Sequence, residues 1–274
     1  YISVTGVQTC ALPISDAMEG PTPVSALIHA ATMVTAGVYL VARSSPVFAQ
    51  SPEALLLIAC LGAFTAIMAA SIALTQTDIK RILAFSSVAH SGFILLAVIA
   101  SSPQGLSSAV LYLFTYGFTT LGTFAIVSLV RDSNGEATHI SQWAGLGRKS
   151  PIVAASFTLF LLALAGIPLT SGFTAKFAVF TAAAQGGATP LVILAVVSSI
   201  IAAFFYGRLI VLMFFSPVSD TTADVVVPSV LTRTAVGVSV AVTLLAGVLP
   251  QPLLNASTVN TLKSPNVCLI TTPV

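Results

Sequence analysis

Seven apolar stretches follow one another along this chain, each near or above the roughly 20 residues a helix needs to cross a bilayer. They run over Pro23–Ala42, Ala54–Thr75, Ile82–Ala100, Leu106–Val130, Pro151–Ala184, Leu191–Phe215 and Val230–Leu249. Charged residues make up 7% of the 274 positions, against about 25% in a soluble domain. So few charges cannot coat a water-facing surface, and the mean hydropathy of +1.02 agrees. The expected fold is therefore all-α, a polytopic transmembrane helical bundle of about seven spans. The fifth stretch is too long for one straight span. It is interrupted by GIPLTSG at Gly166–Gly172, which predicts one discontinuous helix.

Loop charges orient the bundle. With seven spans, one side carries Lys80, Arg81, Arg131, Arg148 and Lys149, and the other carries Arg43 and Lys263. The positive-inside rule places the first side in the cytoplasm. A formal net charge of +2 gives no basic footprint for nucleic acid. Cys10, Cys60 and Cys268 are too scattered for a disulfide framework or a metal cluster. No GxGxxG fingerprint, P-loop or haem motif is present, so no nucleotide, metal or redox cofactor is expected on the chain itself.

Lys176 is the one basic residue well inside a span, ten positions after Gly166. A lysine at mid-membrane costs about 2.5–3.5 kcal/mol on insertion scales, so it should face protein or a water-filled cavity. Burial disfavours the charged form of an amine, and a lysine so placed can load and release a proton near neutral pH. The plainer reading is a helix-pairing or snorkelling lysine, but its depth opposes snorkelling. The break supports a functional role. Pro168 removes a backbone donor, Gly166 and Gly172 allow unwinding, and Thr170 and Ser171 can serve the freed backbone groups. Broken helices at membrane depth are tolerated where they are buried or line a cavity, and they recur at ion sites in transporters.

Two histidines, His29 and His90, also lie within spans. Histidine titrates near neutrality and can relay protons; each can equally be a neutral histidine bonded to a neighbour. Ser86, Ser87 and Ser91 surround His90 in sequence. The fourth span adds Tyr112, Thr115, Tyr116, Thr119 and Thr120. Tyr112 and Tyr116 share one helix face, and so do Thr115 and Thr119. These hydroxyls could bridge titratable groups through water, or simply join helices. All eight carboxylates fall in loops or at span ends. The counter-charge expected for Lys176 is missing, which fits a truncated chain or a partner on another subunit.

Val4–Ile14 reads VTGVQTCALPI and resembles the conceptual translation of a sequencing adapter. It lacks the basic and apolar regions of a signal peptide. Residues 1–15 are expected to be non-native, 16–255 to form the membrane domain as a fragment of a longer protein, and 256–274 to be a polar tail.

DAMEGPTPVSALIHAATMVTAGVYLVAR (Asp16–Arg43), TQTDIKRILAFSSVAHSGF (Thr75–Phe93) and LALAGIPLTSGFTAKF (Leu162–Phe177) resemble the antiporter-like membrane subunits of respiratory complex I, the proton-pumping NADH:quinone oxidoreductase. Residues 16–75 look most like the L-type subunit, with its HAATM histidine at His29. From about His90 onward the chain looks like the N-type subunit, which covers the longer stretch. Met33 stands where the N type usually has a lysine, and Tyr112, Tyr116 and Thr120 stand where the L type has two histidines and a lysine. A natural hybrid and a join of two genes near Asp78–Arg81 both predict this pattern.

The resemblance implies a fourteen-helix fold with two inverted five-helix repeats, of which this chain would be helices eight to fourteen. It implies that Lys176 ends a proton path along which His90 and His29 lie, supported by Tyr112, Tyr116, Thr120 and Ser87, at a break formed by Gly166, Pro168, Thr170 and Gly172. It further implies a multi-pass protein of the bacterial inner membrane, in contact with lipid and with other complex I membrane subunits. NADH, FMN, iron–sulfur clusters and quinone would belong to partner subunits. A related cation/proton antiporter or membrane-bound hydrogenase shares the fold, and a non-transporting scaffold is the alternative of a different class.

Overall fold

The computed structural model describes residues 18, 20–48, 50–99, 102–132, 135–219 and 221–249. The adapter-like segment 1–15 and the tail 256–274 lie outside the described residues.

The helices occupy the predicted spans. Helix α1 (Thr22–Leu27), a π-helical turn (Ile28–Thr32) and α2 (Met33–Arg43) together make the first. After the short α3 (Ser45–Phe48) come α4 (Pro52–Thr75), α5 (Ile79–Ile99) and α6 (Pro103–Val127). The interrupted fifth span is α8 (Pro151–Ala165) and α9 (Ser171–Gln185), preceded by the single turn α7 (Leu146–Lys149). Two further helices follow, α10 (Thr189–Phe215) and α11 (Val230–Val248). Five of them are by themselves long and apolar enough to cross a membrane. The first and fifth predicted spans miss that length because the π turn divides one and the break divides the other.

Local sequence sets the helix starts. Ser51 and Ser102 accept hydrogen bonds from the amides of Ala54 and Gly105, and Pro52 and Pro103 follow them in the first turn. A serine cap satisfies one orphan amide, and proline at the first helical position sacrifices an amide that has no partner there. Helix α5 is the most enclosed of the long helices and α11 the least. Gly92 lets α5 approach α4 closely, because a Cβ there would strike the Gly62 carbonyl and lie 3.0 Å from the Ala66 Cβ. Outward faces of α4, α10 and α11 carry Leu56, Leu57, Phe64, Phe204 and Leu245 in the open, which suits lipid.

The connections on the positively charged side fold into a small cap. Strands β1 (Val130–Asp132), β2 (Gly135–Glu136) and β3 (Asp224–Val225) form an antiparallel sheet in the order β2-β1-β3. Ile79 and Ile140 donate backbone bonds to Thr138 and Thr77 at 2.8 and 2.9 Å. Trp143 is fully buried, donates to the Ala137 carbonyl at 2.8 Å and packs on Phe157.

Candidate functional site

The break is a helix end followed at once by a helix start. Helix α8 stops at Ala165 because Gly166 takes a left-handed conformation, φ +84°, which costs glycine little. Leu169 adopts a positive φ of 74°, an uncommon state for a residue with a Cβ. The Thr170 hydroxyl donates to the Ile167 carbonyl at 2.7 Å, as the sequence suggested; Ser171 is fully buried and its hydroxyl has no protein partner. Gly172 has no room for a side chain, since a Cβ there would collide with the Ala163 carbonyl. Gly247 of α11 is equally confined, by Leu169 and Thr170.

Lys176, one turn into α9, folds back onto this end. Its Nζ donates to the carbonyls of Leu164 and Ala165 and to Ser199 Oγ of α10, each at 2.9 Å. It also lies 5.2 Å from the centre of the Phe93 ring. An ammonium has three donors, and each finds an acceptor. Hydrogen bonds to a charged group are worth about 1.5–3 kcal/mol each, enough together to offset the insertion cost of about 2.5–3.5 kcal/mol. The helix C-terminus adds a negative dipole end facing the amine. So the carbonyls freed by the break, rather than a carboxylate, take the place of the missing counter-charge. Among the described residues no carboxylate lies inside a span.

A second set of polar groups lies beside the first. His90 Nδ1 shares a hydrogen bond of 2.7 Å with the Tyr112 hydroxyl. The His90 ring lies 5.0 Å from that of Tyr116 and meets the Phe93 ring at a steep angle, 5.7 Å between centres. Phe93 therefore touches both His90 and Lys176. Tyr116 reaches the His29 carbonyl at 3.5 Å, at the π-helical turn. Such turns often occur at functional sites. The Nε2 atoms of both histidines are buried without a protein partner, and the Thr120 hydroxyl lies against that of Tyr116. Buried polar groups so left call for an explanation such as water.

Not every predicted hydroxyl joins this set. Thr115, Thr119 and Thr123 donate to carbonyls one turn back in their own helix; Ser87 does the same to Leu83 but also lies against the Tyr116 hydroxyl. Ser199, Phe93 and the buried Tyr206, bonded to Ser86, were not singled out as site residues from sequence. The paired serines at 198 and 199 in the middle of a mostly apolar helix were the available signal. Among the described residues no group of three or more His, Cys, Asp or Glu could hold a metal ion.

Residues 12–202 match the family described as NADH:quinone oxidoreductase/Mrp antiporter, TM. The chain is 54% identical over 248 residues to NADH-quinone oxidoreductase subunit N 3 of Streptomyces griseus, covering 88% of this chain and 44% of that protein. It is 53% identical over 248 residues to NADH-quinone oxidoreductase subunit N of Rhodococcus opacus, with coverage of 88% and 45%. Matches of that extent must cross the Asp78–Arg81 stretch, so subunit N relatives align on both sides of it. A chain in the structure of respiratory complex I from Thermus thermophilus superposes with a TM-score of 0.77 at 28% identity, over 92% of this chain and 55% of that one. The chain spans about half the length of the curated relatives it matches. With its family match, its identity to these relatives and a polytopic helical fold built around a broken helix, the chain belongs to the NADH:quinone oxidoreductase/Mrp antiporter transmembrane family.

Proposed function

We propose that this chain forms part of a proton-translocating membrane subunit of a bacterial NADH:quinone oxidoreductase. It sits in the inner membrane against lipid and other membrane subunits. NADH, FMN, iron–sulfur clusters and quinone belong to the partner subunits, and the proton is this chain's only cargo. The observation that carries the reading is the Lys176 amine held by two freed carbonyls and one hydroxyl, with no carboxylate among the described residues to lock it in the charged form.

The path runs from His29 past Tyr116 to His90 and on to Lys176. The hydroxyls of Tyr112, Ser87 and Thr120 line it, and the break at Gly166, Pro168, Thr170 and Gly172 bounds its outer end. When Lys176 gives up its proton, the neutral amine keeps two donors for three acceptors. One carbonyl or hydroxyl of the break is then released to water. Phe93 borders both the amine and His90, and the proton crosses when the ring turns and water enters. Redox energy from the partner subunits changes that hydration.

The test is proton uptake by sealed vesicles containing the assembled complex, driven by NADH. Lys176→Ala is expected to abolish uptake at unchanged content of assembled complex. Uptake at the wild-type rate would sink the reading and favour a non-transporting scaffold. The family also includes Mrp antiporters, and a cation/proton antiporter subunit is the second reading. It predicts uptake driven by a sodium gradient without NADH.

A further inference from the structure

The buried polar groups do not end at His29. Thr22 and Ser25, both fully buried, precede it by seven and four residues and share its helix face. The Thr22 hydroxyl donates to the Glu136 carboxylate of β2, and the Lys80 amine does the same from the first turn of α5. Lys80 also reaches the Gly20 carbonyl at 3.4 Å. Glu136 is the member of this series that meets solvent, with 21% of its side chain exposed against 7% for Lys80. The hairpin carrying it lies on the side that the loop charges place in the cytoplasm. Arg131 sits opposite Glu136 across the strand pair.

The pair is not the sole fastening of the cap. Backbone bonds from Ile79 and Ile140 and the buried Trp143 also hold it, and a buried ion pair adds little net stability over apolar packing. We infer that the Lys80–Glu136 pair is the cytoplasmic mouth of the proton path, with Glu136 taking protons from bulk water and passing them inward through Thr22 and Ser25 to His29. This rests on the reading of the chain as a proton translocator.

A cytoplasmic hydronium ion gives its proton to a Glu136 oxygen and leaves as water. The neutral carboxyl loosens its hold on Lys80 and becomes a donor towards Thr22. Thr22 accepts that proton and releases its own hydroxyl proton inward, and Ser25 repeats the exchange. One proton arrives on the unpartnered Nε2 of His29, and Glu136 returns to its ionised, paired state. Thr22 and Ser25 are separated by about 4.5 Å of rise along the helix axis, a spacing at which a bridging water can complete the step. Burial pushes the Glu136 carboxyl up, but hydrogen bonds from Lys80 and Thr22 more than reverse this and hold it below its ordinary value.

The experiment measures protons taken up per NADH oxidised by the assembled complex in sealed vesicles, with Lys176→Met alongside. Glu136→Gln keeps the side chain's size and an acceptor for Thr22. It is expected to slow uptake roughly ten-fold or more per assembled complex, and Glu136→Asp is expected to recover most of it. If Glu136→Gln pumps normally while Lys176→Met does not, the mouth is overturned and the transport reading stands. If both pump normally, both fall. Should Glu136→Gln fail to assemble, Thr22→Val decides, because it removes the relaying hydroxyl and leaves the ion pair. Slowed uptake supports the mouth, and unchanged uptake overturns it.

Discussion

Two lysines of this chain are equally buried, Lys80 and Lys176, each 5% exposed, and they are satisfied in opposite ways. Lys80, in the cap on the positively charged side, faces a carboxylate. Lys176, at the break of the fifth span, faces two carbonyls, a hydroxyl and an aromatic ring. A lysine paired with a carboxylate cannot lose its proton without stranding a negative charge. A lysine held by neutral dipoles can, because each of its partners is also stable beside a neutral amine. On the proposed reading the same residue type serves as a latch in one region and as a carrier in the other, and the difference lies in the partner's charge.

The largest effect expected is at the break. Gly172→Ala drives a Cβ into the Ala163 carbonyl, and overpacking of this kind costs about 1–3 kcal/mol or more. The amount of assembled complex should fall sharply. Gly117→Ala has open space around it and should leave that amount unchanged. Equal behaviour of the two variants would remove the claim that the break is built to one geometry.

The next effect separates the latch. The Glu136 carboxyl is held below its ordinary value of 4.5 by Lys80 and Thr22. A carboxyl lowered in the folded state contributes stability above its unfolded value, and that contribution is lost as pH falls through the folded one. The melting temperature gained over Glu136→Gln should therefore be full at neutral pH and shrink steadily below about pH 4.5. A pH-independent gap would show that the pair contributes through shape rather than charge.

A smaller effect is expected from Ser199→Ala, which removes one of three acceptors from Lys176 and leaves the carbonyls. Uptake should slow several-fold while assembly holds. The smallest belongs to Thr119→Val. Its hydroxyl bonds only to its own helix, so melting should move by the equivalent of less than about 0.5 kcal/mol. A large loss of pumping in Thr119→Val would bring the threonine row of α6 into the path.

Much of this was legible in the sequence. The spans could be read because apolar runs and Ser-Pro starts such as Ser51–Pro52 and Ser102–Pro103 are local signals. The break could be read from Pro168 between Gly166 and Gly172, and Lys176 from its isolation. The partners of Lys176 could not be read, because backbone carbonyls leave no trace in residue identity. Nor could the cap: β1 and β3 are two or three residues long and pair across 95 positions, Val130 with Val225. Glu136 therefore passed as one more loop acid, and its neighbours Lys80 and Thr22 lie 56 and 114 positions away.

The most direct measurement is NADH-driven proton uptake by the assembled complex carrying Lys176→Arg. Arginine keeps the positive charge and the hydrogen-bond donors but does not release its proton in a protein. If Lys176 carries the proton, uptake is lost although the cation remains and the complex assembles. Uptake at the wild-type rate would mean that only a fixed positive charge is needed at the break, and would contradict a proton-carrying lysine.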